Sequence, residues 1–171
     1  YNANKPIESA LEDYLLPGRG VVWVVYDPVF VKETVQMEQI NEMGERVIIE
    51  VEEERVAEQR CYFDYVHWED YRENPAKRPE DVSWKARRHL WTKDQLKDKG
   101  FSNVEDIPLN WSPDSDEENY EAEEVFKRAE IWEIWDRVKY KRYYVARNYD
   151  KILREDDDPY ELENFFPCPD S

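Results

Sequence analysis

Ala129-Glu130-Ile131-Trp132-Glu133-Ile134-Trp135-Asp136-Arg137-Val138-Lys139-Tyr140-Lys141-Arg142-Tyr143-Tyr144-Val145-Ala146-Arg147 holds two β-branched and aromatic runs, Ile131 to Trp135 and Tyr143 to Val145. The polar residues Asp136 to Lys141 part them, the pattern of two antiparallel strands joined by a tight turn. Ile131 and Trp135 share one side of the first run, Trp132 and Ile134 the other, so both faces of the hairpin call for cover and a central place in a sheet. Aromatic and β-branched pairs stabilise sheets wherever they occur, so the ordinary reading of this stretch is core without chemistry.

Working outward, the chain has 171 residues, enough for one sizeable core. Its 24 Lys and Arg stand against 41 Asp and Glu, a net charge of −17 that leaves no surplus cation to grip nucleic acid or an anionic membrane. Seven Trp, twelve Tyr and six Phe supply more apolar surface than a disordered acidic tail carries, so a folded, sheet-rich domain follows. No apolar run approaches the ~20 residues of a membrane span, and no signal-peptide pattern opens the chain. Cys61 and Cys168 make no disulfide framework, and reduced thiols are the default.

From the N-terminus, Ile7, Leu11, Tyr14 and Leu15 form an amphipathic stripe on a helix from Pro6 to Leu16, ended by Pro17 and Gly18. Val21 to Tyr26 is apolar throughout and predicts a buried strand stopped by Asp27-Pro28. The Pro17 to Gly20 turn lacks the ending of a phosphate loop. Val31 to Glu45 is weakly patterned and polar, with Gly44 as a turn. Runs at Arg46 to Val51 and Arg60 to Val66 predict a hairpin turning near Glu54 to Val56.

Tyr65 to Tyr71 marks a strand exit into a helical turn. There His67, Glu69 and Asp70 are possible metal ligands, but three convergent groups are needed, and capping is the better account. Trp84 to Trp91 alternates as a strand whose basic face, Lys85, Arg87 and His89, is expected to pair with carboxylates rather than with phosphate. Thr92-Lys93-Asp94-Gln95 is a capping box opening a short helix, and Gly100 followed by Phe101 supplies its left-handed stop and apolar seal. Residues 102–124 are expected to form an acidic mobile connection, their acid run lacking the spacing of a calcium loop. A short helix from Tyr120 to Lys127 and a turn at Asn148 to Lys151 complete the reading. The fold class is therefore α+β: antiparallel sheets of hairpins with a few short helices packed on one side or end, a single domain over residues 1–171. The opening Tyr1 and the Pro-rich close after Phe165-Phe166 lead us to expect a piece of a larger chain.

Several segments, taken in order, resemble bacteriophage portal proteins, in particular those of short-tailed phages and prophages. They are Leu15 to Val24 leading to Tyr26-Asp27-Pro28, Tyr65 to Asp70, Trp84 to His89 with Thr92 to Leu96, Trp132 to Asp136, and Tyr144-Val145-Ala146 with Tyr149-Asp150. Asp157 to Tyr160 running into Phe165-Phe166-Pro167-Cys168-Pro169 closes the set. The resemblance implies a module of the portal's outer, wing-like region, lying before the long channel helices of a ring usually made of twelve subunits. It further implies a virion component, met in the host cytoplasm during assembly, that docks the terminase motor and the capsid and tail adaptors, lets dsDNA pass without specific binding, and has no catalytic residue, metal or cofactor.

Two other classes stay open, an acidic DNA mimic that inhibits a basic partner and a carboxylate or metal-dependent hydrolase. For the second, Gly-x-Ser-x-Gly, His-Glu-x-x-His and Cys-x-x-Cys are all lacking from the sequence. Candidate interface residues are Trp84, Arg87, Arg88, Trp91, Trp111, Phe165 and Phe166, each of which is also at home in a local core.

Overall fold

The computed structural model describes residues 3–40, 46–111, 127–160, 162 and 165–168. Its architecture is α+β, as the alternation of apolar runs and turn residues predicts. A two-stranded antiparallel ribbon, β1 (Val21–Ile40) with β2 (Arg46–Val66), adjoins a five-stranded antiparallel sheet in the order β3 (Tyr71–Glu73), β4 (Trp84–Trp91), β5 (Ala129–Asp136), β6 (Lys141–Ala146), β7 (Ile152–Asp157). Helix α1 (Asn4–Leu15) lies on the base of the ribbon, and α2 (Lys93–Asp98) follows β4.

The hairpin of β5 and β6 takes the expected central place, with Trp132 opposite Val145 and Ile134 opposite Tyr143. Asp136 holds its turn by accepting the backbone N–H groups of Val138 and Lys139 at 2.9 and 3.0 Å. One face of the sheet is covered at its two ends by different pieces of chain. At one end Ala129, Ile131, Tyr144 and Ala146 meet Leu96 of α2 with Phe101, Val104 and Ile107. At the other, Trp135 meets Val21, Trp23 and Val66 from the ribbon base, with Tyr71, Val82, Phe166 and Cys168. The rings of Trp23 and Trp135 lie 6.3 Å apart, tilted. The expectation that both faces are covered needs correction: Trp132, Ile134, Tyr143 and Val145 point the other way and are only half-buried, while α2 and the ribbon base sit on the first face.

The α2 boundaries follow the reading of the sequence closely. Thr92 Oγ1 accepts the Gln95 N–H, and Gln95 Oε1 accepts the Thr92 N–H at 2.9 Å. Gly100 has φ +74°, a conformation in which a Cβ would be strained, and Phe101 is buried behind it.

The first ribbon departs from expectation in three ways. Asp27-Pro28 does not stop β1: the N–H groups of Val24 and Tyr26 point out of the ribbon, to the Pro167 carbonyl and the Tyr160 hydroxyl, so a proline at the next position of that parity forfeits no ladder bond. No turn forms at Glu54 to Val56: Val47 to Val51 and Cys61 to Val66 belong to one strand of 21 residues, paired along its length with β1. What lies there is a bulge, since Val29 faces Glu58 and Phe30 faces Val56, leaving Ala57 over. The turn foreseen at Gly44 lies outside the described residues, as do 120–126 of the helix foreseen before β5.

Helix α1 also inverts its prediction. Ala10 is its buried residue, while Ile7, Leu11, Tyr14 and Leu15 are 48% to 72% exposed. The helix approaches the ribbon so closely at Gly20 that a Cβ there would lie 2.0 Å from the Ala10 carbonyl oxygen. Such an approach requires small residues on both sides, so the large apolar stripe is turned outward. Asp13 ties the helix down by accepting the Tyr65 hydroxyl at 2.6 Å and the Trp68 N–H at 3.2 Å. Burial, then that carboxylate, pushes the Tyr65 phenol up to about 12. Part of the stretch foreseen as a mobile connection is instead folded: Val104 and Ile107 are core residues, and residues 112–126 are outside the described set. Strand β7, for which the sequence reading offered no strand, pairs with β6 through Arg142–Asp156 and Lys141–Asp157 contacts at 2.9 and 2.8 Å.

Candidate functional site

Two features stand apart from the plain packing: a charged seam buried between the two core clusters, and the far end of the ribbon. The seam is set by strand register. Because β4 and β5 pair Arg87 with Glu133, and His89 is two residues on, all three side chains point to the covered face. Glu133 is 2% exposed. Its Oε2 takes the Arg87 Nε at 2.7 Å and stands 2.7 Å from His89 Nε2, and its Oε1 takes the Trp135 indole N–H at 2.9 Å. Arg87 also reaches Asp64 of the ribbon at 3.2 Å and lies over the Trp23 ring at 4.7 Å. Burial works to raise the Glu133 carboxyl, but the hydrogen bond with His89 and the Arg87 charge outweigh it and hold the group down at about 2. Both carboxylate oxygens are engaged by donors, an arrangement that fixes ribbon, β4 and β5 together. The basic face of β4 thus meets carboxylates, as the sequence predicts. Lys85, on the same face, is 2% exposed, and its ammonium donates to the Cys168 carbonyl at 3.2 Å.

The opposite face carries a smaller network. Arg88 donates to Asp70 at 2.7 Å, and Glu130, 5% exposed, accepts the Trp132 indole N–H and Arg147 at 2.9 and 3.1 Å. Asp70 is thereby engaged by a guanidinium, and His67 Nδ1 accepts the Glu69 N–H in a turn, the capping role foreseen for it. Among the described residues no three His, Cys, Asp or Glu side chains group as a metal site.

The candidate interface residues scatter. Trp84 and Arg88 share the half-open face of β4, whereas Arg87 and Trp91 lie on the covered one, where Trp91 stacks on His89 at 4.5 Å. Trp111 is half-buried, and its N–H donates to the Arg128 carbonyl at 3.1 Å. Phe165 is half-buried against Tyr160. Phe166 is 8% exposed and is a core residue, with Lys85 and Arg137 over its ring at 5.1 and 5.2 Å.

The ribbon's far end went unremarked in the sequence. Its pairs beyond the bulge put Val31, Val35, Met37, Ile49 and Val51 on one face, each at least 36% exposed. The signal was present: Val31, Val35 and Met37 alternate with polar residues at period two. Interspersed glutamates diluted it. Over residues 30–56 there are eight Asp and Glu against three Lys and Arg, so this projecting end is both apolar on one side and strongly acidic. No helix among the described residues is long and apolar enough to cross a membrane. No known protein family matches the chain, and no curated protein is similar to it.

Proposed function

We propose that the chain is a structural module of a bacteriophage portal, part of the wing-like region of the connector ring through which dsDNA is packaged and ejected. The observation that carries this reading is the ribbon, 20 and 21 residues per strand, whose outer half leaves the body with an apolar face uncovered. A two-stranded ribbon in water is marginal on its own, so such a limb suits a protein whose partners complete it. The ordered set of portal-like segments supplies the identity of the assembly, with terminase and the capsid and tail adaptors as further partners. An acidic wall also suits a conduit, because it repels the DNA it must let slide.

The test is location. Peptides of this chain are expected in purified phage particles from its source, with antibody labelling confined to one vertex, and their absence from particles would refute the reading. The acid-rich ribbon also fits an inhibitor that mimics DNA. That second reading requires tight, salt-sensitive binding of one basic protein and no presence in particles.

A further inference from the structure

The ribbon's uncovered face has an unbalanced charge at its centre. Along it the cross-strand pairs run Val31 with Arg55, Glu33 with Glu53, Val35 with Val51, and Met37 with Ile49. Like charges directly opposite each other destabilise a sheet. Arg55 answers Glu33 at 3.7 Å, but both side chains are more than half exposed. With Val35, Glu54 and Arg55 the two glutamates frame a concavity of about 380 Å³. Such a face fits a partner that brings an apolar strip and a cation.

A second ribbon is the wrong partner, since face-to-face packing would bring four glutamates together. The body of the same chain offers a match. At the C-terminal end of α1 the exposed Leu11, Leu15 and Leu16 lead through Pro17-Gly18 to a corner where, among the described residues, Arg19, Lys77, Arg78 and Lys85 line a cavity of about 230 Å³ with Glu73, which Arg19 meets at 3.1 Å. In a chain of net charge −17 this corner is locally basic. Arg78 is 73% exposed, and its ion pair with Glu80 at 3.8 Å is a weak surface one.

We infer that the chain associates head to tail with a second copy: the ribbon of one lies on α1 of the next, and Lys77 or Arg78 of that copy enters between Glu33 and Glu53. This names the subunit contact of the proposed ring and rests on that reading for closure alone. From Phe30 to Ile40 the ribbon extends about 35 Å, long enough to lie across a neighbour. At ~10 Å wide its face buries about 700 Å² counting both partners, below the ~1,200 Å² of a stable pair. A single contact is therefore weak. A closed ring, in which every copy both gives and receives a ribbon, makes the contacts cumulative.

Sedimentation equilibrium of the 171-residue chain over a concentration series, at low and high salt, tests this. The wild type is expected to form a ladder of oligomers that salt dissolves. Ribbon reversal, Glu33→Lys with Glu53→Lys, and corner reversal, Lys77→Glu with Arg78→Glu, each weaken association about tenfold or more. The chain carrying all four changes regains it to within about threefold. All four positions are exposed, and circular dichroism verifies folding. A wild type that stays monomeric to millimolar concentration overturns the inference, as does association untouched by corner reversal, or capture of a basic protein without self-association. A monomeric chain still found at one vertex of particles would sink this contact and leave the portal reading standing. Self-association by a chain absent from particles would do the reverse.

Discussion

Replacing Glu133 by Gln keeps the shape of the seam and removes its charge. The carboxyl titrates at about 2 in the folded chain against 4.5 for the free group. At ~1.4 kcal/mol per pH unit that difference is worth about 3 kcal/mol of folding stability. The sign follows from the depression. The contribution is complete above pH 4.5, where the unfolded carboxyl is ionised too, and disappears as pH falls from there through the folded value. Since the side chain is 3% exposed, solvent does not screen the interaction. The figure agrees with the ~3–5 kcal/mol lost when one partner of a buried ion pair is removed. Urea unfolding followed by tryptophan fluorescence between pH 8 and 3 measures it, Trp23 and Trp135 lying beside the seam. At neutral pH Glu133→Gln should be less stable by about 3 kcal/mol, equivalent to ~6–12 °C in Tm. The two stability curves should converge as acid titrates the wild type. Curves that run parallel at all pH, or that differ by less than about 1 kcal/mol at neutrality, would refute the assignment of a charged, structure-bearing Glu133.

Four further outcomes follow from the geometry. Gly20→Ala should drive its Cβ into the Ala10 carbonyl and cost about 1–3 kcal/mol, seen as faster amide exchange throughout α1 with β5 and β6 unchanged. Leu96→Ala, at a fully buried site, should cost about 2–5 kcal/mol in urea unfolding, whereas Ile152→Ala, 56% exposed, should stay within about 0.5 kcal/mol. Replacing residues 30–57 by a two-residue Asn-Gly turn between the paired Val29 and Glu58 should leave the Tm within a few degrees, measured by calorimetry, because no described residue of that stretch belongs to either core cluster, and should abolish self-association. Cys61 is exposed and Cys168 buried, so a thiol reagent should titrate one group in the folded chain and two in denaturant.

What the sequence disclosed and what it hid divide along a physical line. The hairpin of β5 and β6, the capping box at Thr92 and the left-handed Gly100 are local: neighbouring residues determine them through turn chemistry and alternation, and each stands where predicted. The ribbon is not local. Val21 pairs with Val66 and Val31 with Arg55, so nothing within a short window marks β1 as continuing past Pro28. The stripe on α1 was a sound helix signal, but periodicity reports that a helix has an apolar side and not which side meets its own chain. Gly20 and Ala10, two residues with almost no hydrophobic weight, decided that question by permitting a close approach. Glu133 escaped notice for a related reason: a glutamate between Trp132 and Ile134 has the look of an exposed position until the partner strand places Arg87 and His89 against it.

Charge therefore does two different jobs in one acidic chain. Within the body the carboxylates are matched at close range: Glu133 to Arg87, Asp70 to Arg88 and Asp156 to Arg142 all stand within 3 Å of a guanidinium nitrogen. These pairs are at least partly buried and orient strands. On the ribbon beyond the bulge the cross-strand pairs are looser, with Glu33–Arg55 and Glu38–Arg46 both at 3.7 Å and well exposed. Exposed pairs of that kind contribute about 0–1 kcal/mol, so they explain little of how the ribbon holds its shape. Surplus negative charge beside the exposed Val35, Met37, Ile49 and Val51 is what the proposed contact with a basic corner would use. The same glutamates keep identical ribbons from stacking on one another, so the acid that makes the limb adhesive toward a basic corner also protects its edges from aggregation.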